Sequence, residues 1–170
     1  MILREGQLDF DFTGALHARR MDGQGSPMPG RMRKVDFLVE EGERVLLVEV
    51  KDPSDTRTSA SNRRDFIPRL RSGRLINESL VPKCRDTYTY LHLMRQDDKP
   101  LLYVVLLSLY EHVLRPDFFG PLQARLAARL RKEAKRPWAR EYVSSCLVVN
   151  MAGWNAIFPY RLTRCLGDSD

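Results

Sequence analysis

Residues 34–52 read Lys34-Val-Asp-Phe-Leu-Val-Glu-Glu-Gly-Glu-Arg-Val-Leu-Leu-Val-Glu-Val-Lys-Asp52. Val35, Phe37 and Val39 alternate with Lys34, Asp36, Leu38 and Glu40. After Glu41-Gly42, Leu46, Val48 and Val50 alternate with Val45, Leu47, Glu49 and Lys51. A period of two, with β-branched residues on both sides of a glycine, predicts a β-hairpin. Asp36, Glu49 and Lys51 are unusual charges in so apolar a setting. Glu49 and Lys51 are two apart and project to one face. Asp36 joins them only if the connecting loop has an even number of residues. A two-residue loop at Glu41-Gly42, or a four-residue loop over 40–43, makes Asp36 a diagonal neighbour of Glu49, roughly 7–8 Å away at Cα. A loop over 41–44 sets the two directly opposite, and an odd loop separates them. Even parity also leaves one face wholly apolar (Val35, Phe37, Val39, Leu46, Val48, Val50), so an even loop is expected.

Two neighbouring carboxylates repel, which raises one pKa unless a cation lies between them. Mg²⁺ takes oxygen ligands, typically one or two carboxylates with water and substrate phosphate. Asp36 and Glu49 are the candidate metal ligands, with the backbone carbonyl of Val50 as a third. Lys51 is placed to orient or deprotonate a water, or to stabilise a phosphate. The competing reading is a surface hairpin in which Lys34 and Lys51 neutralise Glu49 and Asp36 and no metal binds.

The rest of the chain predicts strands and helices around this hairpin. Residues 7–12 alternate as a first strand, Thr13 to Met21 is expected to form a short helix, and Asp22 to Gly30 is a Gly/Pro loop. Residues 52–78 lack strong periodicity, and from 57 to 74 six arginines (Arg57, Arg63, Arg64, Arg69, Arg71, Arg74) face the single acid Asp65. A mobile or partner-ordered segment is expected there. A helix is expected from Ser79, as N-cap, to about Arg95, with Pro82 in its first turn and Leu80, Cys84, Thr87, Leu91 and Met94 inward. Lys83, Asp86 and Tyr90 fall on a neighbouring face. Leu101 to Leu109 reads as a buried central strand. A helix from Gly120-Pro121 to about Lys135 buries Leu122, Leu126 and Leu130, with Pro121 in the first helical position. Arg125, Arg129, Lys132 and Arg136 form a basic stripe on it, either solvated or gripping a nucleic-acid backbone. Tyr142 to Val149 is a strand, Asn150 caps a short helix that Pro159 stops, and Tyr160 to Cys165 is an edge strand. The expectation is one α/β domain over 1–170, with a core at about 7–110, an extension at about 117–166 and a mixed sheet.

With 28 Lys and Arg against 22 Asp and Glu, the chain carries +6 and a pI near 9.5, which suits a nucleic-acid partner. The longest apolar run is too short for a membrane span, and no signal-peptide pattern opens the chain. Cys84, Cys146 and Cys165 lack metal-ligand spacing and read as buried, reduced thiols, so a cytoplasmic location is expected. His17, His92 and His112 are scattered, and no P-loop, Rossmann or Gly-x-Ser-x-Gly pattern occurs. Trp138 and Trp154 read as core or interface.

Asp36, a spacer, and then Glu49-Val50-Lys51 on an apolar strand resemble the signature of the PD-(D/E)xK nuclease superfamily, whose members include restriction endonucleases, Holliday-junction resolvases and repair nucleases. The triplet alone is unspecific: Asp97-Asp98-Lys99 and Glu133-Ala134-Lys135 repeat it, in a turn and at a helix end. The strand context and Asp36 across the turn set Glu49-Val50-Lys51 apart. Val35 stands where the literal motif has proline. The resemblance implies a restriction-endonuclease-like αβββαβ core and Mg²⁺- or Mn²⁺-dependent hydrolysis of DNA phosphodiesters by Asp36, Glu49 and Lys51. It implies a phosphate-side residue on the next helix, for which Lys83 is the candidate and Arg85 and Tyr88 are rivals. Many members add a glutamate from an N-terminal helix; Glu5 is the only early one, and no helical pattern surrounds it. Arg63, Arg64, Arg69, Arg71, Arg125, Arg129 and Lys132 are the candidate DNA contacts. A chain this small would cut both strands as a homodimer. The alternatives are a non-catalytic nucleic-acid-binding or assembly protein on the same fold, and a protein-interaction module.

Overall fold

The structure, a computed structural model, describes residues 1–109, 116–132, 139 and 141–165. Its centre is the expected hairpin. Strand β4 (Phe37–Glu40) pairs antiparallel with β5 (Val45–Lys51) in the register Phe37↔Val48, Leu38↔Leu47, Val39↔Leu46 and Glu40↔Val45. The loop is therefore 41–44, closed by the Glu41 amide donating to the Arg44 carbonyl at 2.9 Å. Its length is even, and extending the register one step sets Asp36 opposite Glu49.

Around the hairpin lies a five-stranded mixed sheet in the order β3-β4-β5-β6-β7. Strand β3 (His17–Arg20) runs antiparallel to β4, while β6 (Leu101–Leu107) and β7 (Ser145–Val149) continue parallel from β5. All seven residues of β6 are buried, as a continuous apolar run at the centre of a two-faced sheet requires. Helices cover one face. These are α1 (Ala60–Ser72), a π-helical turn over Ile76–Leu80 that runs into α2 (Val81–Leu93), and α3 (Phe119–Arg131). They bury Leu70, Leu80, Leu91 and Leu126 against Leu47, Tyr103 and Val105. On the other face packs an antiparallel sheet ordered β1-β2-β8, built from β1 (Ile2–Glu5), β2 (Leu8–Asp11) and β8 (Arg161–Arg164). The short helix α4 (Met151–Ile157) joins it. There Phe10, Phe12, Phe37 and Trp154 meet edge to face, over Val48 and Val50. Asn150 caps α4 as expected, accepting from the Gly153 amide at 2.7 Å.

Several expectations are corrected. Residues 13–21 form no helix; Ala18 points into the core and β3 pairs along β4, so sheet pairing overrides local helix preference. The strand expected over 7–12 is the second arm of a hairpin. The basic segment is ordered. Ser59 caps α1 through the Asn62 amide, Phe66 and Leu70 anchor one turn apart, and Gly73, at φ 81°, ends the helix. Ser79 lies inside the π turn and caps nothing, Met94 is exposed, and Pro121 is the third residue of α3. Val35 packs with the helical face, because the chain bends at Asp36 and breaks the alternation. Trp138, His112, Arg136 and Glu133-Ala134-Lys135 lie outside the described residues.

One face of α2 fixes the chain entering β4. Lys83, Asp86 and Thr87 are three and four residues apart and so share a face. Asp86 accepts from the Arg33 amide at 3.0 Å, and the fully buried Thr87 hydroxyl accepts from the Val35 amide at 3.2 Å. Thr87→Val keeps the volume and orphans the Val35 N–H, so urea denaturation should show a loss of about 1–3 kcal/mol. A change below a few tenths would mean that this bond does not hold the segment.

Candidate functional site

Glu49 sits mid-sheet with no exposed surface, and Asp36 is 4% exposed. Both follow from position, since β5 is flanked on each side by strands and covered by α2. At Asp36 the amide donates to the Val48 carbonyl at 3.0 Å and the carbonyl accepts from the Met21 amide at 2.9 Å. Regular pairing with β5 starts only at Phe37. That leaves the Val50 amide beyond the ladder, and Asp36 Oδ2 accepts from it at 2.6 Å. The Asp36 carboxylate is thus fixed to the sheet by backbone.

Two lysines close the site. Lys83 Nζ, from the first turn of α2, lies 3.4 Å from Asp36 Oδ1, 2.9 Å from Glu49 Oε2 and 2.7 Å from Glu49 Oε1. Lys51 Nζ lies 2.6 Å from Glu49 Oε1. Oε1 therefore has two ammonium groups at ion-pair distance, yet neither is aligned as a hydrogen bond. Each lysine side chain is 22% exposed, against 0% for Glu49 and 5% for Asp36, so the lysines lie nearer the solvent than the carboxylates. Burial, and then the charge of Glu49, hold Asp36 well above the ordinary carboxylate range, against the pull of Lys83, Lys51 and the Val50 N–H. Burial disfavours the Lys83 charge, but Glu49 and Asp36 outweigh it and raise its pKa above that of an ordinary lysine. The Tyr103 phenol is also pushed up, by burial first and Glu49 second, and donates to the Leu80 carbonyl at 3.0 Å.

All four catalytic candidates thus meet: Asp36, Glu49, Lys51 and Lys83. Val50 takes part through its amide, while its side chain enters the opposite core. The rivals to Lys83 are engaged elsewhere, Arg85 with Asp86 at 3.0 Å and Tyr88 against His92 and Tyr142. The Lys34 pairing expected in the competing reading does not form; Lys51 and Lys83 are the partners of Glu49. Glu5 also comes to the site, carried by the β1–β2 hairpin. Carboxylate oxygens of Glu5, Asp22 and Asp36 lie within 4.8 Å of one another, with Arg20 Nη1 at 2.6 Å from Glu5 and 3.0 Å from Asp22. Asp22 escaped the sequence reading because it sits in a Gly/Pro loop with no periodicity to mark its direction.

Asp36 and Glu49 fit a hard cation. Both are oxygen donors on rigid backbone, and a single nitrogen, Lys83 Nζ, touches an oxygen of each. Beside them lies a cleft of about 320 Å³, bounded by the Gly6 turn, the end of β5 and α1, with Lys51 in its wall. Lys51 is the member of the four-residue cluster that lines it.

Of the basic candidates, Arg69 lines this cleft and the others do not. Arg63, Arg64 and Arg71 are exposed on α1, and Arg69 turns to Glu78 at 3.5 Å. Arg125 donates to the Arg71 carbonyl at 3.3 Å, and Arg129 donates to Asn77 Oδ1 at 2.8 Å and to the Lys132 carbonyl at 3.0 Å. The α3 stripe therefore borders the end of α1 and the π turn. Cys84 and Cys146 are buried free thiols, whereas Cys165 is half-exposed. No helix of the described residues is long and apolar enough to cross a membrane. Comparison with family models, curated proteins and solved structures finds no match.

The coupled charges give a pH signature. An Asp36 pKa raised in the folded state makes its contribution to stability fall as pH rises from about 3.9, its unfolded value, through the raised value. The raised Lys83 acts in the same direction at higher pH: its contribution is complete below about 10.4 and is lost above that. Lys83→Met should therefore cost about 3–5 kcal/mol near pH 8, where two buried carboxylates lose their shared cation. The cost should be smaller near pH 5, because a lower pH favours the protonated form of Asp36, which needs no cation. Equal costs at both pH values in denaturant titrations would contradict this coupling.

Proposed function

We propose that the protein is a metal-dependent phosphodiesterase acting on DNA, of the PD-(D/E)xK type. The observation that carries this is the convergence of Asp36, Glu49 and Lys51 with Lys83 at one end of the sheet, two carboxylates about one cation position. The order β3-β4-β5 as an antiparallel meander, a helical connection, and β6 parallel to β5 supports it. A β-hairpin rather than a helix brings the N-terminal glutamate, Glu5, to the site.

In this reading Asp36 and Glu49 would hold Mg²⁺ or Mn²⁺, which would supply Lewis acidity toward a phosphoryl oxygen and toward water. The Val50 N–H keeps Asp36 in place, and burial within the sheet does the same for Glu49. Lys51, at the solvent side, orients the attacking water. Lys83 stays protonated and stabilises charge on the phosphate. Arg63, Arg64, Arg71, Arg125, Arg129 and Lys132 hold the strand backbone, which makes binding weaken with salt. Cutting both strands of a duplex would call for two copies of the chain.

A second reading has its own support. Two lysines already neutralise two carboxylates one for one, so the cluster is held without a metal, which favours a non-catalytic nucleic-acid-binding or assembly protein. Asp36→Asn separates the two. Under the nuclease reading it abolishes Mg²⁺-dependent cleavage, leaves DNA binding intact or tighter, and removes the Mn²⁺ binding that calorimetry detects in the unaltered protein. Cleavage that survives Asp36→Asn defeats the assignment. Salt-sensitive DNA binding without Mn²⁺ binding establishes the second reading.

A further inference from the structure

The cleft beside Lys51 has a chemistry unlike the basic surface. Its wall carries Glu5, Asp52 and Asp55, and each faces an arginine: Arg20 at 2.6 Å, Arg164 at 2.9 Å and Arg57 at 2.8 Å. Its two cations are likewise committed, Lys51 to Glu49 at 2.6 Å and Arg69 to Glu78 at 3.5 Å. With its charges paired off, the cleft has no surplus positive charge to bed a phosphate chain. Yet it holds polar groups free to take a ligand. The Asn62 amide group and the Ser79 hydroxyl line it and make no hydrogen bond within the described residues. Phe66 gives the cleft an apolar, aromatic wall.

A neutral, flat ligand with donors and acceptors on its edge satisfies that list, and a nucleobase is one. Asn62 offers a donor and an acceptor together, the pairing that reads adenine, and the Ser79 hydroxyl can donate or accept beside it. At about 30 Å³ per water, the 320 Å³ cleft holds roughly ten waters, on the scale of one nucleotide and too little for a base pair with both backbones. We propose that this cleft seats one unpaired base of the substrate strand, so that the enzyme acts on DNA with a single-stranded or flipped-out nucleotide next to the scissile phosphate. The inference rests on the nuclease reading, since it places the phosphate at the cluster of Asp36, Glu49, Lys51 and Lys83 and turns the adjoining base into the cleft that Lys51 lines. Deep, specific seating of one base is how enzymes gain access to positions inside a stack.

The test is fluorescence anisotropy in EDTA at about 50 mM salt, where backbone contacts remain strong. The probes are a blunt duplex, the same duplex with an unpaired overhang, and a single strand. The unpaired substrates should bind roughly tenfold more tightly than the blunt duplex. In Asn62→Ala/Ser79→Ala, two changes at accessible polar positions checked by circular dichroism, the preference should fall below about threefold. Equal affinities, or a preference that the double variant leaves intact, overturn the proposal. Free dAMP is the third arm: if it displaces the overhang DNA at equal concentration, the cleft serves a free nucleotide and the proposal fails. Because no metal or turnover enters the measurement, the two readings can fail separately. Mg²⁺-dependent cleavage without a preference for unpaired DNA removes the cleft proposal and keeps the nuclease. Failure to bind any DNA removes both.

Discussion

A carboxylate in the interior of a sheet is tolerated only when cations reach it. Glu49 has no exposed surface and Asp36 almost none, and they are neighbours across the hairpin. Lys83 is the cation that reaches both, and the surrounding architecture serves that contact. Helix α2 lies across this end of the sheet and holds the approach to β4 through Asp86 and Thr87. The π turn continues directly into α2, so its first turn begins over the sheet end rather than after a loop. Wide helical turns of this kind are frequent at functional sites. Removing Lys83 leaves like charges in a low-dielectric pocket. Removing Asp36 relieves repulsion. The cluster is therefore asymmetric, with the cation holding together what the two acids would push apart.

The hairpin was legible because two independent signals agreed. Alternation assigned the strands, and the position of the apolar residues selected an even loop. The loop is 41–44, so the pairing is direct and not diagonal. The gathering of Lys83 with Asp36 and Glu49 was legible only through resemblance, since no periodicity says which face of a helix meets which end of a sheet. Two failures have one cause. Residues 13–21 and Val35 were assigned from local pattern, but β3 exists because β4 offers it an edge, and Val35 changes face because the backbone turns to give Asp36 to the Val50 amide. Neither cause lies within the segment itself. The arginine-rich α1 failed differently. Its charges masked two apolar anchors, Phe66 and Leu70, and the caps at Ser59 and Gly73 that delimit it were outweighed in the reading by composition.

The two faces of the central sheet divide the labour. On one, Phe10, Phe12, Phe37 and Trp154 form a buried aromatic core, which anchors β5 from below. On the other, the apolar layer of Leu38, Val45 and Leu47 gives way toward the end of β5 to Asp36, Glu49 and Lys51. Burying the aromatic face is what makes the polar end rigid. A local rule broken at one end of a strand, while every other level of the sequence agrees, is the usual mark of a site under functional demand.

Lys83 also frames the relation between the two functional readings. Lys83 and a divalent cation would serve the same two carboxylates, and electrostatics does not allow both to sit between them at the distances seen. Metal binding would shift Lys83 outward, toward the solvent side that it already partly occupies, where a phosphate would meet it. The ammonium that stabilises the metal-free protein would then become a substrate contact, and the energetic cost of its displacement would weaken metal affinity in the absence of substrate. A nuclease built this way would bind its ion most tightly once a phosphate is present to receive the lysine, so the stabilising contact of the free protein would also restrain its activity.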